Sequence, residues 1–398
     1  MTNGALARKR NFLIAMFLLG MTGCNLVLVS RVLTPLRNGL QDFTIYYMAA
    51  GLVREGRAAA LYDTDVQYKS QLAFARVDRP EAIEPFNHPA FEAILFIPLT
   101  FLSYWPAYLV WTLLSLIMLT ICALLLQHLP EIRDLPLLLL ALGSLAFFPV
   151  VMGILMGQDT VLFLLMFVLA LTCLYRGADV ASGAWLAAAL FRPHLVLPLV
   201  LLIAARRWRV LLGFVPVALV LVGISVAILG WGGPRAYIQF VLQAERPHNG
   251  IGPHDLSTLW GLSSVLLGVK HSLLAGMLTA VSSFAVFGLA LRRIRNGCDS
   301  IGYSFCLASV ASLLVSFHAF SYDSTLLLPL VLFMLASAAN AGSPQCDAEG
   351  LLALFVLFLT PMYVYLVMKI RLFSLFSLVL LWLYSRLLRT PAPAAEPV

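Results

Sequence analysis

Long apolar runs, separated by short polar stretches, are the dominant pattern of the chain. About 20 consecutive apolar residues cross a bilayer as a helix, and a backbone exposed to lipid must be helical to satisfy its own hydrogen bonds. Two runs, 89–103 and 180–205, are interrupted by proline and polar residues. The ten continuous runs are 11–31, 105–127, 135–153, 159–175, 210–231, 271–291, 301–318, 322–341, 351–368 and 370–388. The pattern predicts an all-α, polytopic membrane protein, a single domain over 1–389 with about ten spanning helices plus short or re-entrant helices.

The composition agrees with segments that face lipid on all sides. Of the 398 residues, 61% are hydrophobic and 11% are charged, whereas soluble domains average about 45–50% and about 25%. The net charge of +7 is divided among short basic clusters beside the apolar runs, so it is not the concentrated patch of a nucleic-acid-binding protein. We therefore expect membrane lipids as partners and no nucleic acid.

The basic clusters predict the orientation of the helices, because Lys and Arg are retained on the cytoplasmic side of a membrane. With 8–10, 206–209 and 292–295 inside, the segments 32–104 and 232–270 are predicted to be periplasmic. Most of the polar residues then collect on the outer side.

Both ends of the chain need separate consideration. A basic start followed by an apolar run and Cys24 resembles a lipoprotein signal, but the run continues past Cys24, so we expect an uncleaved first helix. Near the other end, Lys369 and Arg371 fall outside and contradict the charge rule. The final residues, 390–398, are predicted to be a disordered cytoplasmic tail.

The segment 180–205 must begin and end on the cytoplasmic side, since the basic cluster 206–209 follows it. It is too short for two spans of about 20 residues each. The segment is therefore predicted to be a re-entrant hairpin with its tip at 191–194, because Pro193 breaks a helix there.

Three polar positions on the predicted outer side could carry chemistry. Asp42 follows the first span and could take a proton from a hydroxyl group, or it could cap the helix that starts at Phe43. Gln158 can donate and accept hydrogen bonds, which suits a sugar hydroxyl, or it belongs to a helix-turn cap. His88 is held extended by Pro89, so its ring could face a cavity or serve a structural role.

Arg192 and the stretch 316–323 are polar positions between apolar runs. An arginine at membrane depth is costly unless it is paired or functional. Arg192 therefore either binds a phosphate with its guanidinium fork or pairs with an acid of another helix. His318 could donate to a phosphate or shuttle a proton, and Asp323 could orient it or cap the next helix. A purely structural role for the stretch stays open.

Several short motifs follow one another along most of the chain. They are Asp42-Phe43 to Tyr62-Asp63, His88-Pro89 with 97–99 and Trp111, Gly157-Gln158, 183–193 with 206–209, and 318–323 with Pro329. In this order and spacing they resemble glycosyltransferase family 87, one of the polyprenol-phosphate-sugar-dependent families of the GT-C class.

The resemblance implies a GT-C-like helical bundle and an inverting glycosyltransferase of the bacterial inner membrane, with its active site facing the periplasm. The implied donor is a hexose, mannose-like, on polyprenyl phosphate, and the implied acceptor is a lipid or glycan hydroxyl. In the family an acid after the first span is the catalytic base, which gives Asp42 that role. A basic residue before proline and a histidine at an outer helix end are associated with the donor phosphate, which implies Arg192, where lysine is common, and His318.

Further residues are predicted to bind the sugar or the acceptor. They are Gln158, His88, Tyr46, Tyr322 and Asp323. We expect no cofactor and no metal, because two cationic groups already serve the phosphate, although carboxylate–metal chemistry stays open.

Two other function classes compete with the glycosyltransferase. A secondary transporter or lipid-linked sugar flippase also contains broken helices and intramembrane arginine, but the chain shows no convincing internal repeat and its polar residues collect on one side. A non-catalytic scaffold would not need Arg192 between apolar runs.

Overall fold

A computed structural model describes residues 3–37, 42–75, 84–244, 252–268, 271–296, 300–340 and 347–389. Within these ranges the chain forms nineteen α-helices and no β-strand, which confirms the all-α prediction. The helices are α1 (Asn3–Arg37), α2 (Phe43–Arg54), α3 (Thr64–Leu72), α4 (Ala90–Phe96), α5 (Tyr104–Gln127), α6 (Leu137–Ala146), α7 (Phe148–Met156), α8 (Thr160–Tyr175), α9 (Asp179–Ala188), α10 (Pro193–Ala204), α11 (Val210–Leu229), α12 (Gly233–Ala244), α13 (Leu259–Leu267), α14 (Ser272–Asn296), α15 (Ile301–Val315), α16 (Leu328–Ala339), α17 (Ala348–Phe358), α18 (Thr360–Val364) and α19 (Phe376–Arg389). The predicted tail, 390–398, lies outside the described residues.

Among the described residues, five helices are long and apolar enough to cross a membrane, or seven spans if each of two bent pairs is one span. The bent pairs are α6 with α7, at 58°, and α17 with the helical stretch 360–369, at 53°. The polytopic prediction is confirmed. The number of spans is lower than the ten predicted because several apolar runs form short helices, such as α8 and α15.

Each bend lies just before a proline, Pro149 or Pro361, which cannot supply a backbone N–H to the preceding turn. Asn25 of α1 compensates at the first bend by donating its amide to the carbonyl oxygens of residues 145–146, at 3.1 and 3.2 Å. Its side-chain oxygen accepts a hydrogen bond from Thr360 at the second bend, at 3.1 Å. One buried amide therefore joins α1 to both bends, in a place where water cannot satisfy the backbone.

The segment 180–205 is divided into α9 and α10 by a break at 189–192, directly before Pro193. The break overlaps the tip that the sequence predicts at 191–194 but lies two residues earlier, because Pro193 and His194 already belong to α10. The depth of the hairpin in the membrane stays a prediction.

Helices α9 and α11 pack backbone against backbone. A Cβ added at Gly183 would lie 1.8 Å from the carbonyl oxygen of Val210, and one added at Gly213 would lie 1.8 Å from that of Val180. Small residues permit such close approach between helices in a membrane. This contact fixes α9, and hence the break that precedes α10.

Gly183→Ala should lower the free energy of unfolding by about 1–3 kcal/mol, because the added methyl group forces the two backbones apart. Gly223→Ala is the matched control on α11, since no atom lies within 4 Å of the Cβ that it adds. Thermal unfolding of the purified variants in one detergent measures both changes. Equal melting temperatures for Gly183→Ala and the wild type would contradict the close packing.

Candidate active site

A cavity of about 470 Å³ opens between loops that are distant in the sequence. Six residues predicted from the sequence line it: Asp42, His88, Gln158, Arg192, His318 and Tyr322. The other two are buried behind the wall. Tyr46 donates a hydrogen bond to Gln158, and Asp323 accepts one from Arg192. The structure therefore brings all eight predicted site residues together, six at the cavity wall and two behind it.

Aromatic packing holds α2, α4 and α5 together beneath the cavity. The Tyr46 ring stacks on Phe96 with centroids 4.7 Å apart, and Phe96 contacts Trp111 at 4.6 Å. The indole of Trp111 also donates to the carbonyl oxygen of Gly157, at 3.0 Å. These contacts fix the start of α2, where Asp42 lies, relative to the turn that carries Gln158.

Asp42 is half-buried and directly precedes α2. Among the described residues its side chain makes no capping hydrogen bond to that helix; its Oδ2 instead accepts a hydrogen bond from Gln158 Nε2, at 2.5 Å. Burial raises the pKa of Asp42 to about 6, and the Gln158 hydrogen bond and the Arg192 charge oppose that rise. The carboxylate is therefore held as an acceptor at the cavity, without a helix-capping contact.

Gln158 is oriented by its neighbours. Its Oε1 accepts hydrogen bonds from the Tyr46 hydroxyl and from Arg192 Nη2, both at 2.6 Å. Gly157, at φ 65°, ends α7 in the left-handed conformation and turns the chain toward this position. Two donors on the oxygen leave the amide nitrogen directed at Asp42.

Arg192 is buried, and the structure shows it paired with acids of other segments. Its Nη1 pairs with Asp323, and its Nη2 and Nε both donate to Asp159, with Nε at 2.9 Å. Its guanidinium also lies over the Tyr322 ring, 5.7 Å from the centroid. Arg192 therefore joins the turn at 157–159, the start of α10 and the stretch 321–327.

The stretch 316–327 is held by backbone contacts as well as by Arg192. Asp323 Oδ2 accepts from the backbone N–H of Phe320, at 2.7 Å. The ring of His318 packs edge-on against Phe320, with centroids 4.7 Å apart, and lies 5.7 Å from the ring of His194. The stretch thus presents His318 and Tyr322 to the cavity while Asp323 anchors it from behind.

Glu92, which sequence analysis missed, lies behind His88. Nδ1 of His88 is 2.7 Å from Oε2 of Glu92, and Nε2 faces the Tyr46 hydroxyl at 3.4 Å. Burial lowers the pKa of His88 to about 4, so its ring is neutral near pH 7. The signal in the sequence was a lone acid in an apolar segment, four residues after His88.

Sequence analysis also missed two charged residues in the cavity lining, Glu84 and Arg371. Burial, with the charge of Asp42 next in importance, raises the pKa of Glu84 to about 7. Arg371 pairs with Asp255 at 3.4 Å. Its conflict with the charge rule was the available signal, because a cation on the outer side can serve the site.

Comparison with known proteins identifies a family. A model for glycosyltransferase family 87 matches residues 86–316, more than half of the chain. The match includes His88, Gln158 and Arg192 and excludes Asp42 and His318. No curated protein and no solved structure matches.

Proposed function

The chain belongs to glycosyltransferase family 87, and we propose that it moves a hexose from polyprenyl phosphate to a hydroxyl group of a lipid or glycan. The family makes it a glycosyltransferase, and its apolar helices make it a multi-pass membrane protein. The proposal adds the donor class, a mannose-like sugar, inversion at the anomeric carbon, and a site facing the periplasm of a bacterial inner membrane.

Asp42 is the main support for this proposal. A carboxylate at the cavity wall, with a pKa raised to about 6 and an orientation fixed by Gln158, suits a general base. Such a base works best when its pKa lies near the operating pH. Asp42 takes the proton of the acceptor hydroxyl while the hydroxyl oxygen attacks the anomeric carbon. The bond from that carbon to the phosphate oxygen breaks on the opposite face, so the configuration inverts and polyprenyl phosphate leaves.

Hydrogen-bond donors in the same cavity suit the departing phosphate. His318 lines the wall, and so does Arg371, which is half exposed and lies 3.4 Å from Asp255. Arg192 also lines it, but Asp159 and Asp323 already occupy its guanidinium. We therefore assign the phosphate contact first to His318 and Arg371, and to Arg192 the positioning of Gln158. Donors aimed at developing charge contribute about 3–4 kcal/mol each in a site that excludes water.

Helix α10 supports the outward orientation. It begins at the cavity with Pro193 and ends at Ala204, beside the basic cluster 206–209. Twelve helical residues extend about 18 Å. If the basic cluster is cytoplasmic, the cavity lies toward the outer face.

The rate of transfer should fall as the pH drops through about 6, because a general base acts only when ionised and the pKa of Asp42 is raised to about 6. The rate under donor-limiting conditions, measured from pH 5 to 9, tests this. Glu84, with a pKa of about 7 in the same cavity, is the competing group. The acidic limb should persist in Glu84→Gln, and its disappearance there would assign the titration to Glu84.

A donor panel tests the proposed function. The purified full-length protein is incubated with radiolabelled polyprenyl-phosphate hexoses or with nucleotide sugars, together with a lipid extract as acceptor. Label should move to the acceptor from a polyprenyl-phosphate hexose only. Transfer from nucleotide sugars alone would overturn the donor assignment.

A further inference from the structure

We propose that His88, Glu92 and Asp159 form a binding site for one divalent metal ion of the zinc or manganese class. Their ligand atoms all lie within 4.8 Å of one another. His88 and Glu92 are four residues apart around the start of α4, and Asp159 comes from the turn before α8. An imidazole with two carboxylates is a donor set that such ions prefer.

The distances suit an ion at the centre of the cluster. Zinc binds histidine nitrogen at about 2.0–2.1 Å and carboxylate oxygen at about 2.0–2.2 Å, so tetrahedral ligand atoms lie about 3.4 Å apart. His88 Nδ1 and Glu92 Oε2 are 2.7 Å apart, and no pair of the ligand atoms exceeds 4.8 Å. To bind one ion, His88 Nδ1 and Glu92 Oε2 would move slightly apart, and each ligand atom would come to about 2.0–2.2 Å from the ion.

The polar atoms of this cluster face one another. Within the part of the chain that the structure describes, no group outside the cluster donates to or accepts from His88 Nδ1, either oxygen of Glu92, or Oδ2 of Asp159, and His88 Nδ1 lies 2.7 Å from Glu92 Oε2. Glu92 and Asp159 are both 0% exposed. Arg192 uses only the other oxygen of Asp159. Buried polar atoms are normally satisfied, and a metal ion would give all three side chains a common partner.

The charge of the surrounding groups favours a cation. Three buried carboxylates, Glu92, Asp159 and Asp323, lie around one buried guanidinium, Arg192. Without an ion, one of these carboxyl groups must carry a proton to limit the buried charge. A divalent ion would take the place of that proton, and His88 lines the cavity, which gives the ion a route in.

The ion would act on the base indirectly. Asp159 follows Gln158, which donates to Asp42, so an ion on Asp159 would hold the turn that orients the carboxylate. His88, Glu92 and Asp159 are in this sense positioning residues. Metal content is measured without sugar transfer, so this inference can fail while the proposed function stands, and the reverse.

The test uses the purified full-length protein with any affinity tag removed. After EDTA treatment and dialysis, samples are equilibrated with Zn²⁺, Mn²⁺ or Mg²⁺. The bound metal per protein chain is then measured by inductively coupled plasma mass spectrometry. The wild type should hold about one Zn²⁺ or Mn²⁺ per chain and little Mg²⁺, and EDTA should lower its melting temperature. Glu92→Gln should weaken binding at least about 100-fold, since loss of a supporting contact alone costs about 10–100-fold. His128→Ala, an exposed histidine at the end of α5, should keep the ion.

Two results would overturn the site. One is no bound ion in the wild type at saturating Zn²⁺ and Mn²⁺. The other is equal binding by Glu92→Gln, which would place the ion elsewhere. If the wild type binds no metal and Glu92→Gln has the higher melting temperature, Glu92 and Asp159 share a proton instead of an ion. Should Glu92→Gln not fold, His88→Asn removes a different ligand and carries the same expectations.

Discussion

Replacing Asp42 with asparagine should lower sugar transfer by about 10²–10⁴-fold, the usual contribution of a general base, without loss of folding. Asparagine keeps the shape of the side chain and an oxygen that accepts from Gln158. Stability should be unchanged or higher at pH 8. The pKa of Asp42 is raised on folding, so its contribution to stability is present below its unfolded pKa and is lost as the pH rises through about 6. The neutral amide of asparagine avoids the cost of burying an ionised carboxylate at pH 8.

Initial rates and melting temperatures of the variant and the wild type measure both effects. Asp63→Asn is the matched control, because Asp63 caps α3 by accepting from the backbone N–H of Asp65 and of Val66, and asparagine caps equally well. That variant should retain transfer. A folded Asp42→Asn with near-normal transfer would show that the base lies elsewhere.

Arg192→Ala should destabilise the fold by about 3–5 kcal/mol, because it leaves Asp159 and Asp323 buried without their partner. The melting temperature and the yield of monodisperse protein should both fall. Arg192→Lys should recover only part of the loss, since a single ammonium group cannot reproduce the fork that reaches both acids.

Arg57→Ala is the control for removing an arginine, because its ion pair with Glu55 is exposed and such pairs contribute about 0–1 kcal/mol.

A second comparison tests whether Arg192 positions Gln158 or binds the donor phosphate. His318→Ala should impair use of the donor while the melting temperature stays near that of the wild type. A stable Arg192→Ala that loses only donor affinity would instead make Arg192 the phosphate ligand.

The all-α, polytopic character could be predicted because long apolar runs indicate membrane helices. The number of spans could not, because several runs form helices too short to cross, such as α8 and α15. The break at 189–192 followed from Pro193. The bends before Pro149 and Pro361 were missed, because the surrounding runs stay apolar and the compensating amide, Asn25, comes from another helix. The sequence pattern does not show which distant side chain will hydrogen-bond to the backbone carbonyl groups that a helix bend leaves free.

The candidate site shows the same division. Asp42, Gln158 and Arg192 could be selected because polar residues beside apolar runs are rare and costly. Their partners could not be predicted, since the contacts span large separations, 116 residues for Asp42 with Gln158 and 131 for Arg192 with Asp323. Glu92 was missed because its significance depends on Asp159, which only the tertiary fold brings near.

The most direct test of the proposed reaction compares sugar transfer with lipid movement in one preparation. Wild-type protein and Asp42→Asn are reconstituted into vesicles that carry a radiolabelled polyprenyl-phosphate hexose and an acceptor lipid. Transfer to the acceptor and movement of the donor between leaflets are then followed in parallel. We expect labelled acceptor and released polyprenyl phosphate from the wild type, and loss of both in Asp42→Asn. Protein-dependent movement of the donor without any labelled acceptor, equal in both proteins, would contradict it.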